Sequence, residues 1–137
     1  MADSSSPSKA TEVPAPHEPR RIAKPASELN DVYDLLDEIR LRPGMWVRGN
    51  SLPHLESMLL GYRLALNLHG LDEDWPFWNP GSQGLFAEWL WQRLGRHSAA
   101  GWATEIEREA QAADQEPLDL FFSLFDEYRA ERGHTAR

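Results

Sequence analysis

The stretch "SLPHLESMLLGYRLALNLHG", residues 51–70, has the clearest helical pattern in the chain. Ser51 is suited to cap a helix start, Pro53 is tolerated in a first turn, and Gly70 is suited to end the helix. Between them, side chains that can face a core return every three or four residues, the spacing of one helical face. They are Leu52, Leu55, Leu59, Tyr62, Leu66 and His69, flanked by Met58 and Ala65. We therefore predict a central helix that ends at His69.

A shorter helix is predicted before the central one, in "ELNDVYDLLDEIRL" at residues 28–41. Ser27 or Asn30 can cap its start, and it must end before Pro43, because proline disfavours helical backbone in the preceding residue. The apolar side chains again share one face. They are Val32, Leu35, Leu36 and Ile39.

The two helices are joined by Arg42-Pro43-Gly44-Met45. Proline at the second position and glycine at the third are the residues that a type II turn favours, because the third position needs positive φ. The sequence therefore predicts a turn with Gly44 at positive φ, followed by a short extended piece at residues 45–47.

A long loop, "GLDEDWPFWNPGSQG" at residues 70–84, follows the central helix. It places three acidic residues directly before large aromatic rings, and loops of this length in small domains often bind partners. Tryptophan supplies contact area and carboxylates steer a basic partner, so we predict a partner-binding edge here. Its residues are Asp72, Glu73, Asp74 and Trp75. The alternative is that the rings of the loop close the open end of the core.

Three more helices are predicted in the remainder of the chain. They are "LFAEWLWQRLG" at residues 85–95, a thinner pattern that can start at Ser98, and a strongly apolar one that starts near Pro117. The fold class is therefore all-α, a compact bundle of about five helices. We expect one domain at residues 27–137, after a disordered tail rich in Pro, Ser and Ala at residues 1–26.

The predicted domain is strongly acidic. Residues 27–137 contain ten arginines, no lysine and nineteen acidic residues, a formal charge of −9. This balance argues against nucleic acid and against an anionic membrane as partners, and it favours a basic protein partner. The sequence contains no secretory signal pattern, no membrane-spanning run and no cysteine, so we expect a cytoplasmic protein.

No catalytic or metal-binding motif is found in the sequence. Phosphate-binding loops, H-E-x-x-H and G-x-S-x-G are absent, and the histidines lack partners at helical spacing. Carboxylate pairs such as Asp37 with Glu38 or Glu105 with Glu109 are expected on solvated faces. We therefore predict a non-enzymatic protein with no catalytic residue, no cofactor and no metal.

The segment "LLDEIRLRPGMWVRGNS", residues 35–51, is similar to part of the ATPase domain of type II topoisomerases, which reads roughly Arg-Pro-Gly-Met-Tyr-Ile-Gly between two helices. About ten residues match. In that family the next helix carries Glu, Asp and Asn at a spacing that Glu56 and Asn67 do not reproduce, and the later Asp-x-Gly-x-Gly pattern is absent. The resemblance therefore implies a shared turn rather than a shared activity.

A second resemblance extends over residues 35–129. It rests on the order Arg-Pro-Gly-Met-aromatic, Gly-Tyr, Phe-x-x-Trp-Leu, Gly-Trp and Leu-Asp-Leu-Phe-Phe-x-Leu-x-Asp-Glu-Tyr. In this order the chain resembles small acidic helical bacterial proteins of uncharacterised or toxin-immunity type. The resemblance implies inhibition of a basic toxin by direct binding, with no role for any particular residue.

Three functions follow as hypotheses. The first is an acidic protein-binding module, as in an immunity protein. The second is a small ligand-binding or hydrolase-like domain with a pocket between the central helix and the aromatic loop, where His54 or His69 would be the base. The third is a structural subunit that associates with itself through aromatic surface. The sequence does not define the oligomeric state.

Overall fold

The structure is a computed structural model, and it describes residues 22–133. Its α-helices are α1 (Val32–Leu41), α2 (Pro43–Trp46), α3 (Leu52–Leu68), α4 (Leu85–Leu94), α5 (Trp102–Ala112) and α6 (Pro117–Glu131), with 3-10 turns at Ala26–Glu28 and Arg48–Asn50. No strand occurs in this range, apart from an isolated bridge between Asn79 and Ser82. The predicted all-α class is confirmed: five helices match the predicted ones, and α2 is an additional single turn.

The residues that start the helices were predicted with mixed success. Ser51 caps α3 as expected, since its side chain accepts a hydrogen bond from the amide of His54. The cap of α1 was predicted at Ser27 or Asn30 and is instead Asp31, whose carboxylate accepts from the amide of Asp34. Asp31 is the better cap because it combines the hydrogen bond with a negative charge at the helix N-terminus.

The prediction of a type II turn at Arg42–Met45 was wrong. Pro43 is the first residue of α2, where its missing N–H costs nothing, and the amide of Val47 donates to the carbonyl of Pro43 at 2.8 Å. Gly44 does not take positive φ; Gly49 and Asn50 do, at 63° and 54°. The reversal into α3 therefore occurs several residues later than predicted, and residues 45–46 are helical instead of extended.

Helix α5 was predicted to start at Ser98 and starts instead at Trp102, after Gly101. The hydroxyl of Ser98 accepts from the amide of Ala100 and donates to the Glu105 carboxylate at 2.9 Å. Ser98 thus ties the preceding loop to the helix instead of capping it.

The centre of the core is a continuous array of aromatic rings from four elements. Phe77, from the loop after α3, stacks on Phe125 of α6 with 5.5 Å between ring centroids, and Phe86 of α4 meets the same ring edge-on at 5.3 Å. Trp102 of α5 stacks on Phe121 at 5.1 Å. All five rings are less than 5% exposed. Full burial of aromatic side chains is a large source of stability for a domain of this size.

Several charged groups are buried, contrary to the prediction that the carboxylate pairs would be fully solvated. Glu38 has no exposed surface and accepts from Arg42 at 2.7 Å and from the amide of Lys24 at 3.0 Å. Glu105 is 3% exposed, and hydrogen bonds from Arg96 and Ser98 lower the pKa of its carboxyl. Arginine side chains fold over these acids from the surface, so the acids are paired instead of hydrated.

The predicted tail is only partly described. Lys24, which lies in it, contacts α1 through the hydrogen bond to Glu38 and an ion pair with Asp34 at 3.9 Å. Residues 1–21 and 134–137, including His134, lie outside the described residues.

Candidate functional site

The loop at residues 71–84, which we call the aromatic loop, is fixed to α1 and α3 by its own carboxylates. Glu73 accepts from the hydroxyl of Tyr62 at 2.8 Å and from the amide of Val32 at 3.2 Å. Asp74 accepts from the hydroxyl of Tyr33 at 3.2 Å. Burial, reinforced by these carboxylates, raises the pKa of both tyrosines, so both stay protonated donors. The loop is therefore held in one position.

The aromatic loop also folds back on itself through its rings and backbone. The indole N–H of Trp75 donates to the carbonyl of Trp78 at 2.9 Å, and the Trp75 ring stacks on Tyr62 at 5.3 Å. At its end, Gly84 passes so close to Phe77 that a Cβ at position 84 would lie 2.0 Å from the Phe77 carbonyl oxygen. Its φ of 101° and ψ of 162° are accessible essentially to glycine alone. Gly84 thus allows α4 to begin directly behind the loop.

An open groove of about 800 Å³ lies between α3 and the aromatic loop. We call it the α3 groove. The residues that line it are mostly apolar: Leu59, Leu60, Gly61, Leu64, Trp75, Phe77, Trp78, Pro80 and Trp102, with Glu56, Ser57, Arg63 and Asn67 as the polar members. The volume falls in the range of binding pockets, roughly 300–1,000 Å³.

Large apolar side chains of the groove are exposed. Leu60, Leu64 and Trp78 are 49%, 57% and 45% exposed, and Leu68 and Leu71, which do not line the groove, are exposed as well. Helix α3 is therefore apolar on two sides. Its Leu52, Leu55, Leu59 and Leu66 side packs into the core, while a second row at intervals of four residues faces outward.

Two charged side chains of α3 also face the groove. Arg63 is partly buried, and its Nε has no hydrogen-bond partner. Glu56 is partly buried near Gly101 at the start of α5, and burial raises the pKa of its carboxyl. Neither residue forms a salt bridge within residues 22–133. The groove thus offers one acidic and one basic group with free bonding capacity.

The four residues predicted to bind a partner occupy different environments. Asp72 and Asp74 are exposed, Glu73 is partly buried and Trp75 is only 6% exposed. Glu73 and Asp74 accept the tyrosine hydrogen bonds. Trp75 also forms part of the wall of the α3 groove, while Glu73 and Asp74 hold the loop in place through the tyrosine hydrogen bonds. That these four residues bind a partner stays a prediction.

The α3 groove lies where the second functional hypothesis placed a pocket, between the central helix and the aromatic loop. Neither His54 nor His69 lines it; both are exposed, and His69 is the C-cap residue at which α3 ends, as predicted. The carboxylate that does face the groove is Glu56.

The groove-facing row of α3 was missed because only one apolar face was predicted for this helix, and Leu60, Leu64 and Leu68 are not part of that face. The signal was nonetheless present in the sequence. Leu60, Leu64 and Leu68 follow one another at intervals of four residues, beside the row that packs into the core. A helix with leucine on two sides must contact two partners or leave one side exposed.

Comparison of the chain with family models, with curated proteins and with solved structures finds no match. No helix in the described part of the chain has both the length and the apolar character needed to cross a membrane. Residues 22–133 also contain no group of three or more side chains placed to hold a metal ion.

Proposed function

We propose that this protein is a protein-binding module and that its docking surface is the α3 groove. The observation that carries the proposal is the exposed row of leucines on α3, bordered by the half-exposed ring of Trp78. Soluble domains rarely leave such a patch open unless it has a partner, and tryptophan is enriched among the residues that dominate binding energy. The fixed position of the aromatic loop adds to this, because a preformed groove avoids the entropy cost of ordering on binding.

The charge of the domain favours a partner that carries basic residues around an apolar contact surface. Opposite charges speed association, while the apolar contact supplies the affinity. This proposal is compatible with the resemblance to toxin-immunity proteins, in which the partner would be a basic toxin. Asp72, which is exposed and accepts neither of the tyrosine hydrogen bonds, is the member of the acidic cluster best placed to steer such a partner.

A small apolar ligand is the second candidate occupant. It is favoured by the volume of about 800 Å³ and by three indole rings in the lining, from Trp75, Trp78 and Trp102. Against it stands the open shape: ligand pockets usually enclose most of their ligand, whereas the leucines of this groove are about half exposed.

The test compares Leu64→Asp with the matched control Met45→Asp. Both substitutions put a charge at an exposed apolar position, 57% and 65% exposed, but Met45 does not line the groove. Wild-type protein and both variants are immobilised and exposed to an extract of the native host, and bound proteins are quantified by mass spectrometry. We expect at least one captured protein to bind wild type and Met45→Asp equally well when its affinity is measured with purified components. Its dissociation constant for Leu64→Asp should be at least tenfold higher.

Equal binding of that protein to all three forms contradicts the proposal. Saturable binding of anilinonaphthalene sulfonate, an anionic dye that reports apolar surface, would instead assign the groove to a small ligand if Leu64→Asp abolishes it and no protein partner depends on the groove. The variant Asp72→Asn, measured in parallel, shows whether the acidic edge contributes to association rate.

A further inference from the structure

The two charged groups of the α3 groove are related by a spacing that has a consequence for symmetry. Glu56 and Arg63 are seven residues apart, which places them on the same edge of α3, separated by about 10.5 Å along its axis. Their midpoint lies between Leu59 and Leu60. Both residues line the groove, and neither has an ion-pair partner within the described chain.

Consider two copies of α3 side by side, related by a two-fold axis that runs between them and is perpendicular to both helices and to the line that joins them. The rotation makes the two helices antiparallel, and the edge that carries Glu56 and Arg63 lies on the same side of the contact in both copies. If the axis passes between Leu59 and Leu60, residue 56 of one copy comes to the height of residue 63 of the other. Glu56 then lies beside the partner copy's arginine, and Arg63 beside the partner copy's glutamate. A single contact with this symmetry forms both ion pairs at once.

The same operation pairs the apolar row of α3 with itself. Leu60 lies next to the axis and meets its own copy. Leu64, on the opposite edge from Arg63, lies near Ser57 of the other chain, with an offset of about 3 Å along the helix because the midpoint of residues 57 and 64 is one residue beyond the axis. Gly61 has open space around its Cα, so the backbones can approach closely. One arrangement therefore pairs the charged groups and brings the two Leu60 side chains together.

On the basis of the proposed function, we propose that the occupant of the α3 groove is a second copy of this chain, docked with α3 antiparallel to α3 so that Glu56 and Arg63 of each copy pair across the axis. The net charge of −8 per chain opposes this association. The opposition is mostly between distant exposed charges, which are screened beyond about 8 Å at 0.15 M salt. The groove pairs are partly buried and are screened much less.

The experiment is sedimentation equilibrium of the full chain at 0.15 M salt, with charge-reversal variants. Wild type is expected to form a dimer. Glu56→Arg and Arg63→Glu each create two like-charge contacts per dimer, because the symmetry doubles every change, and each should raise the dimer dissociation constant at least tenfold. The double variant Glu56→Arg/Arg63→Glu restores both pairs with exchanged signs and should return within about threefold of wild type.

Mixing the two single variants gives the sharpest result. One variant then carries two arginines and the other two glutamates at the paired positions, so a mixed dimer should form where neither variant dimerises alone. Asp119→Arg is the control for charge alone, because Asp119 is exposed on α6 and lies outside the groove. It should leave the dissociation constant unchanged or lower it slightly by reducing the net charge.

A cysteine variant tests the position of the axis independently of charge and of any loss of stability in the reversal variants. The chain has no native cysteine, so Leu60→Cys is the single thiol in its variant. With diamide as oxidant, Leu60→Cys should form a covalent dimer of twice the 15.7 kDa chain mass, whereas Met45→Cys, exposed but outside the groove, should remain mostly monomeric.

A monomer at all concentrations up to about 1 mM, or equal cross-linking of the two cysteine variants, overturns the second-copy proposal. Such a result leaves the proposed function standing if a different protein binds in a manner that Leu64→Asp abolishes. A dimer that the single reversals do not weaken also overturns the pairing. If the protein neither associates with itself nor captures any protein whose binding Leu64→Asp abolishes, the proposed function is overturned as well.

Discussion

Replacement of Gly84 by alanine should destabilise this fold far more than its size suggests. The new Cβ would lie 2.0 Å from the carbonyl oxygen, 2.3 Å from the carbonyl carbon and 2.8 Å from the Cα of Phe77. None of these is a side-chain atom that could rotate away. The Phe77 ring is 2% exposed and packed among other rings, so the backbone of the aromatic loop would have to move away from the core.

The magnitude follows from two costs. A non-glycine residue in the backbone region of Gly84 costs about 1–3 kcal/mol by itself. Moving the loop by an ångström or more also disturbs the packing of Phe77, for which complete loss of the ring would cost about 3–5 kcal/mol. We therefore expect Gly84→Ala to lower the free energy of unfolding by at least about 3 kcal/mol, a large share of a typical total of about 5–15 kcal/mol.

Two other glycines separate the contributions. Gly81 has positive φ but nothing within 4 Å of a Cβ, so Gly81→Ala should cost only the backbone strain, about 1–2 kcal/mol. Gly44 is helical with open space, so Gly44→Ala should stabilise by about 0.5–1 kcal/mol.

The assay is equilibrium unfolding in urea, followed by circular dichroism at 222 nm. For a slope of about 1–3 kcal/mol per molar urea, the midpoint of Gly84→Ala should fall by about 1 M or more. A midpoint equal to that of Gly81→Ala would show that the close contact between Gly84 and Phe77 is not a constraint, and the account of the loop would fail.

Three further predictions use the same unfolding assay. Glu73→Ala removes the acceptor of the Tyr62 hydroxyl and should cost about 1.5–3 kcal/mol, whereas Asp72→Ala, exposed and one residue away, should stay within about 0.5 kcal/mol of wild type; equal effects would contradict the anchoring role. Phe125→Ala should cost about 3–5 kcal/mol, and a loss below 1 kcal/mol would show that the aromatic array is not the core. The arginine partners of Glu105 lower the pKa of its carboxyl in the folded state, so the ionised carboxylate contributes its full stability above the unfolded pKa of about 4.5. This contribution is lost as pH falls through the lower pKa of the folded state. The difference in stability between wild type and Glu105→Gln should therefore shrink towards pH 2, and a difference that stays constant would contradict the prediction.

Helix positions were the part of the fold most readily predicted from the sequence, because periodic apolar residues and strong terminators act locally. The core face of α3 and its end at His69 follow from such signals, and so does the end of α4 at Gly95. The predicted start of α5 at Ser98 was wrong. Serine is a good capping residue, but the Ser98 side chain donates its hydrogen bond to the Glu105 carboxylate instead of capping a helix. Local propensity cannot anticipate a competing tertiary partner.

The candidate site was less predictable for a related reason. The acidic cluster of the aromatic loop has the composition of a binding edge, but Glu73 and Asp74 face tyrosines on α3 and α1, and these are more than ten residues away in sequence. The groove exists because the loop lies at a distance from α3, and the periodicity of apolar residues does not predict that distance. The sequence does contain the second row of leucines at positions 60, 64 and 68, but this spacing alone does not show that the row borders a groove.

The placement of the indole rings makes the α3 groove observable without any label. Three of the six tryptophans line it, Trp75, Trp78 and Trp102, and the half-exposed Trp78 lies at its open side. An occupant that excludes water there should shift the intrinsic emission of the protein to shorter wavelength. Replacing Trp78 with phenylalanine would remove the most responsive emitter while leaving an aromatic wall, so filling of the groove could be followed by ordinary fluorescence titration.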